Sequence, residues 1–375
     1  MGFGLTSQND LLKSFVTEKK VGSGEDADPI ANCYSNVGNV VAVFDGMGGA
    51  GAIQVPVDSS VTPLPDGRCS MAYLASRVAS RTVSQVIGQL GPSNLPKLKS
   101  KIEVEVKAEL TKLVERPGGK GAEPRLRGTI LVEYPTTIAL AVVSPSDEFN
   151  ERKVNVFWAG DSRIYAFDPD RLIPLQLLTR DHTDEGGGGD AALSRFASPS
   201  KLDLDEREYR LTSGTAVIAM SDGCYAYMSP LHLMFLMIQE MVLARSSDEW
   251  LNAIKNKISL VAGDDTSFAI SFGEGGFDDL RERVKVLYLE LQPLMNVPES
   301  PNRFVLAHDP KKFENLFDDN ESRQSIESKS DSSLLKVSSE DKTPIIPKVL
   351  NESATTQSSN HSRFLKKKPD PESAV

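Results

Sequence analysis

Four apolar runs in this 375-residue chain end in aspartate at or beside a glycine. VVAVF leads into Asp45-Gly46, VNVFWAG into Asp161, AVIAMS into Asp222-Gly223, and LVAG into Asp264-Asp265 just before TSFAI. Aspartate is poor strand material, because its carboxylate competes for the backbone hydrogen bonds that a sheet uses. A lone Asp-Gly is commonly no more than a turn. Its repetition after strand-like runs predicts instead that the carboxylates converge at one edge of a sheet. Converging carboxylates repel one another and lose hydration, so they hold protons or need cations. Hard divalent ions such as Mg²⁺ and Mn²⁺ accept oxygen ligands of this kind and keep several waters. Two such ions about 3.5–4 Å apart activate a water and clamp a phosphoryl oxygen.

The elements that must position these carboxylates follow from hydrophobic patterning. Residues 40–44, 136–143, 153–158, 216–220 and 267–272 are apolar or β-branched runs of strand length. Residues 70–89 read as a helix, with Met71, Leu74, Val78, Val83, Val86 and Ile87 at three- and four-residue spacing. Residues 97–114 and 278–291 are further amphipathic helices. Residues 230–244 are apolar nearly all round, which predicts a deeply packed helix. Ser246 and Glu249 have the spacing of a capping box before a helix that carries Trp250, Leu251, Ile254 and Ile258. Strands and helices are interspersed with no internal repeat. The Gly186–Gly189 run has no following Lys-Ser/Thr and is no P-loop.

Composition narrows the chemistry. A formal net charge of −10 speaks against binding nucleic acid, which needs basic surface. No apolar run approaches a membrane span, and the N-terminus lacks the features of a secretory signal. Three scattered cysteines and four histidines make a Cys/His zinc site a poor fit and point to a reducing, cytoplasmic setting. Any metal must therefore be held mainly by oxygen. Gly2-x-x-x-Thr6 fits the N-myristoylation pattern, which is short and common by chance. From residue 318 the chain turns rich in Ser, Asp, Glu, Asn and Lys without apolar periodicity, so disorder is expected there. The expected organisation is a lead-in at 1–20, one domain at 21–276, a helical extension at 277–317 and a tail at 318–375.

Seven short motifs occur in a telling order: Gly24-Glu25-Asp26, Val43-Phe44-Asp45-Gly46-Met47-Gly48-Gly49, Thr136-Thr137, Gly160-Asp161-Ser162-Arg163, Leu178-Thr179-Arg180-Asp181-His182-Thr183, Ser221-Asp222-Gly223 and Gly263-Asp264-Asp265. In this set and order, residues 21–272 resemble the PP2C (PPM) family of metal-dependent serine/threonine protein phosphatases, in its bacterial-type DGMGG variant. The resemblance implies an α+β fold, a four-layer α/β/β/α sandwich of two mainly antiparallel sheets flanked by helices. It also implies Mn²⁺ or Mg²⁺, two ions with room for a third, and a hydroxide that bridges two of them and attacks phosphorus in line. Asp45 would bridge both ions, with the Gly46 carbonyl a ligand of one and Asp222 and Asp264 ligands of the other. Asp26, together with Glu25, would hold metal-bound waters, and Asp161 would serve the third ion. Asp45, Asp222 and Asp264 are thereby the catalytic set. Arg163, His182, Thr137 and Asp265 are expected to support the site.

Two positions depart from the family pattern. Met47 stands where a proton-donating His is common in eukaryotic members, so phenolic leaving groups should be easier than serine or threonine. Val21 stands where a phosphate-binding Arg is common, and Lys20 is the candidate replacement, as a point charge without a guanidinium fork. The expected partners are a phosphorylated protein and a cognate serine/threonine kinase or its targets, with the chain itself monomeric. The alternatives are a regulatory module on the same sandwich, or a hydrolase of a small phosphorylated metabolite. A flap at 184–202 is expected to gate substrate access, and the long stretch at 53–129 has no assigned task.

Overall fold

The structure, a computed structural model, describes residues 11–57, 67–120, 131–183 and 193–295. Gly2, the Gly186–Gly189 run and the tail at 318–375 lie outside the described residues. In chain order the elements are β1 (Leu12–Thr17), β2 (Ile30–Tyr34), β3 (Gly38–Val43), β4 (Gln54–Pro56), β5 (Arg68–Ser70), α1 (Met71–Gly88), α2 (Leu98–Glu115), β6 (Ile138–Ser146), β7 (Glu151–Ala159), β8 (Arg163–Phe167), β9 (Leu175–Leu177), β10 (Asp205–Thr212), β11 (Ala216–Met220), α3 (Asp222–Tyr225), α4 (Pro230–Leu243), α5 (Ser247–Val261), β12 (Thr266–Ser271) and α6 (Gly276–Met295).

The strands make two five-stranded sheets, β1-β12-β11-β8-β9 and β10-β7-β6-β3-β2, with every neighbouring pair antiparallel, beside a small β4–β5 hairpin. Alternation along the strands sorts their side chains into two environments. In β3, Val40 and Ala42 join the core under α1 and α2, whereas Val41 and Val43 face the other sheet. In β11, Ile218 and Met220 join the core under α4, α5 and α6, whereas Val217 and Ala219 face inward. Small inward residues such as Ala139, Ala141, Ala166, Ala219 and Ala269 let the sheets pack face to face. This is the α/β/β/α sandwich that the resemblance implied.

Serines start the helices: Ser70 Oγ accepts the Tyr73 N–H, and Ser229 does the same for His232 ahead of Pro230. At α5, Ser246 accepts the Glu249 N–H, but the Glu249 carboxylate accepts from Arg245 N–H (2.8 Å) rather than closing a reciprocal box. Two other expectations change. Residues 12–17, assigned to the lead-in, form β1 and pair with β12 along their whole length. Helix α4 buries Leu233, Met237, Ile238 and Met241, while Leu231 and Leu243 stay exposed, so one face packs rather than all.

Candidate active site

Strand β3 ends at Val43, and Phe44 is fully buried before the chain turns at Asp45. Two threonines fix that turn. Thr136 Oγ1 and Thr137 N–H both donate to the Asp45 carbonyl (2.8 Å each), and Asp45 N–H donates to Thr137 Oγ1 (3.3 Å). Thr137 Oγ1 also pairs with Ser162 Oγ at 2.7 Å, which ties the Asp45 turn to the loop carrying Asp161. Gly46 bridges to Thr136, and an added Cβ there would come within 2.6 Å of the Ala72 and Glu25 carbonyls. Only glycine lets the acidic loop at 24–26 lie this close.

The remaining carboxylates arrive from the other sheet. Asp222 opens α3 immediately after β11, and Ser221 Oγ beside it donates to the buried Asp26 Oδ2 (2.8 Å). Asp264 and Asp265 lie in the turn between α5 and β12. Gly223 has no room for a Cβ, which would overlap the Asp265 carbonyl. Asp265 reaches back across the chain: Oδ1 accepts from Lys19 N–H (2.7 Å) and Oδ2 from Glu25 N–H (2.6 Å). Glu25 in turn accepts from Ser70 Oγ (2.5 Å). Asp265 therefore anchors the acidic loop by its backbone. Asp265→Ala should cost about 10- to 100-fold in Mn²⁺ affinity, measured by titration of the metal-free protein; unchanged affinity would show the anchor to be dispensable.

The electrostatics match this crowding. Burial, then the charges of Asp26, Asp222 and Asp161, push Asp45 well above the usual carboxylate range. Burial pushes Asp26 up to about 7 against its hydrogen bonds from Ser267, Ser221 and Asp45. Burial and the Asp222 charge carry Asp161 to about 7 as well. Asp222 is raised by burial, with Asp264 adding to it, and Glu25 is raised by burial, with Asp265 and Asp264 adding to it. No three His, Cys, Asp or Glu side chains among the described residues form a ready-made ligand cluster. The donor set nevertheless suits hard divalent cations: it is all oxygen, and the burial and repulsion that raise its proton affinity are relieved equally by a cation.

No family model matches the chain, and no curated protein matches it. Among solved structures, it is similar to serine/threonine phosphatase Stp1 from Staphylococcus aureus (TM-score 0.49, 15% identity, 70% of this chain and 94% of that chain). It is also similar to the Mycobacterium tuberculosis serine/threonine phosphatase PstP/Ppp (TM-score 0.46, 18% identity, 69% and 96%). A third similarity is to the catalytic domain of PstP in complex with two manganese ions (TM-score 0.45, 17% identity, 69% and 96%). The resemblance to PP2C-type phosphatases rests on the ordered motifs of residues 21–272. The chemistry of the site still has to be read from its own residues.

The supporting residues have definite partners. Arg163 grips Asp181 with two hydrogen bonds (Nε–Oδ1 3.0 Å, Nη2–Oδ2 2.6 Å) and lies 3.9 Å over the Tyr225 ring. His182 Nδ1 accepts the Gly160 N–H (3.1 Å), which leaves Nε2 to donate to Asp205 (3.0 Å). Lys20 is exposed in the turn where Ser23 N–H donates to its carbonyl (3.0 Å), and Val21 beside it is 93% exposed. Met47 is half-buried, its N–H donating to the Pro135 carbonyl (3.3 Å). Sequence reading passed over Arg77, whose guanidinium donates to the Gly24 and Tyr73 carbonyls (3.1 Å each) and so steadies the acidic loop. Nothing in its helical context marks it out, because its partner lies 53 residues away.

Proposed function

We propose that this protein is a metal-dependent phosphatase that hydrolyses phosphoserine and phosphothreonine in proteins. The observation that carries this reading is the gathering of Asp26, Asp45, Asp161, Asp222 and Asp264 from five separate segments into one another's electric fields. A fold that tolerates this repulsion without using it would be hard to account for, since replacing such groups usually stabilises a protein.

In this reading Asp45, the Gly46 carbonyl, Asp222 and Asp264 hold two Mn²⁺ or Mg²⁺ ions, Asp26 orients water, and Asp161 with Asp222 serves a third ion. Bound there, the ions would lower the pKa of water and neutralise charge on the phosphoryl oxygens. The protein's own work is positioning. The Thr136–Thr137 clamp holds Asp45, Asp265 and Arg77 hold the acidic loop, and Ser221 holds Asp26. Lys20 is the cation proposed to meet the phosphate, as a flexible point charge. The substrate would be a cytoplasmic phosphoprotein made by a serine/threonine kinase, met by a monomer. Among the described residues no helix is long and apolar enough to cross a membrane.

The test is phosphate release from p-nitrophenyl phosphate, a phosphothreonine peptide and free phosphometabolites, with Mn²⁺ and with EDTA, for wild type and Asp222→Asn. Release from the peptide that needs Mn²⁺ and fails in Asp222→Asn is the expected result. Preference for a phosphometabolite would reassign the substrate. No release from any of them, in folded protein that binds Mn²⁺, would replace the enzyme by a regulatory module on the same sandwich.

A further inference from the structure

The hydrogen-bond donors that border the carboxylates are nearly all committed. Ser221 serves Asp26, Ser70 serves Glu25, Thr137 and Ser162 pair with each other, and Tyr225 donates to the Asp161 carbonyl (2.6 Å). Three cations are committed as well: Arg163 to Asp181, Arg77 to the Gly24 and Tyr73 carbonyls, and Lys19 to the Gly263 carbonyl, while Lys20 is the one proposed above for the phosphate. Among these hydroxyls Tyr227 is the exception. Among the described residues its hydroxyl makes no hydrogen bond, and the residue is 48% exposed.

Its position is set by Gly263, the residue before Asp264. A Cβ on Gly263 would overlap the Tyr227 ring and come within 2.7 Å of its hydroxyl, so the ring can rest against this turn only because glycine is there. The turn that the ring rests against leads directly into Asp264. A phenol is protonated at neutral pH, so the hydroxyl is available as a donor.

A phosphorylated side chain is drawn inward by its phosphoryl group while the protein that carries it stays in solvent. The ester oxygen between them lies on the way out to solvent, and Tyr227 is half-exposed against the turn before Asp264. We propose that the Tyr227 hydroxyl donates a hydrogen bond to the oxygen that links phosphorus to the substrate's serine or threonine side chain. This rests on the phosphatase reading above. Water adds to phosphorus, the bond from phosphorus to the side-chain oxygen breaks, and its electron pair stays on that oxygen. The oxygen ends as an alcohol, with a proton derived from the attacking water, and inorganic phosphate is the other product. Tyr227 keeps its own proton and stabilises the departing oxygen while charge develops on it.

The test compares wild type with Tyr227→Phe in the full chain with Mn²⁺, on a phosphothreonine peptide and on p-nitrophenyl phosphate. The variant retains the ring and should melt like wild type. On the peptide, kcat should fall on the order of 10- to 100-fold with KM nearly unchanged. On p-nitrophenyl phosphate, whose phenolate leaving group delocalises its own charge, the change should stay below about threefold. Equal losses on both substrates, or no loss on the peptide, would overturn the proposal while leaving the phosphatase reading intact. A wild type inactive on both substrates would overturn that reading and this one with it.

Discussion

Asp45→Asn is expected to lower kcat/KM on the order of 10³-fold or more while raising the melting temperature of the metal-free protein. The two effects have one cause. Asp45 is the carboxylate whose proton affinity is raised by three others, Asp26, Asp222 and Asp161, on top of its burial. An amide of the same shape needs neither a proton nor a counter-charge there, so the repulsion with the three neighbours is removed. In a domain of this size each kcal/mol so relieved raises the melting temperature by roughly 2–4 °C. The same substitution removes the ligand proposed to be shared by two cations, so Mn²⁺ should no longer stabilise the protein or support turnover. Melting in EDTA and in Mn²⁺, beside phosphate release, reads both effects. A lower melting temperature in EDTA with Mn²⁺ binding intact would make Asp45 a structural residue and remove it from the catalytic set.

The second large effect is on stability against pH. In EDTA the protein should lose stability steadily between about pH 5 and pH 8, and saturating Mn²⁺ should abolish most of that loss. Asp26 titrates at about 7 in the folded chain against an ordinary value of 3.8, and Asp161 behaves alike. Below the ordinary value both folded and unfolded chains hold these protons, and the stabilising contribution is fully present. Between the two values the unfolded chain has released its protons while the folded chain still binds them, so stability falls as pH rises. Above about 7 the contribution is gone. For Asp26 the gap of 7 − 3.8 corresponds to a ceiling of about 4 kcal/mol, reduced by proton sharing with Asp45.

Two carboxylates act in the opposite direction. At Asp168 burial is outweighed by hydrogen bonds from Thr215, Asp170 and Thr212 and by the Arg283 charge, and at Asp205 by His182 and Arg195. Both are held below the ordinary range, so their contribution is lost only as pH falls below about 4. The metal-free optimum should therefore lie near pH 4–5. Mn²⁺ bound at the proposed site would take the place of protons on these carboxylates, so its binding should release protons into the buffer. Stability in EDTA that rises from pH 5 to pH 8 would overturn this account.

Much of the site was legible in the residues themselves. Asp45, Asp222 and Asp264 each follow or precede an apolar run, and the structure places Asp45 and Asp222 just after β3 and β11 and Asp264 just before β12. Patterning also marked the residues of β3, β6, β7, β11 and β12 and the faces of α1 and α5. Those features are local: alternation with period 2, helical spacing and the dislike of a carboxylate for the middle of a sheet are all written within a few neighbours. The threonine pair at 136–137 could be recognised as a motif, but its task, clamping both backbone groups of Asp45, required strand β6 beside β3.

What only the tertiary structure decided is long in sequence and short in space. Residues 12–17 show too little alternation to announce a strand, yet β12 offers them an open edge and they become β1. Asp265 is expected from sequence to support the site, but what it holds is set only when the closed sandwich brings it against the backbone of Lys19 and Glu25, 246 and 240 residues away. Nothing in the sequence around Tyr227 marks it out, and its place follows from Gly263, which makes room for its ring in the turn before Asp264. The sequence alone determined which residues carry charge, which faces are apolar and where strands must stop. The packing of two sheets decided which of those charges meet, because a contact between distant segments depends on the register and closure of everything between them.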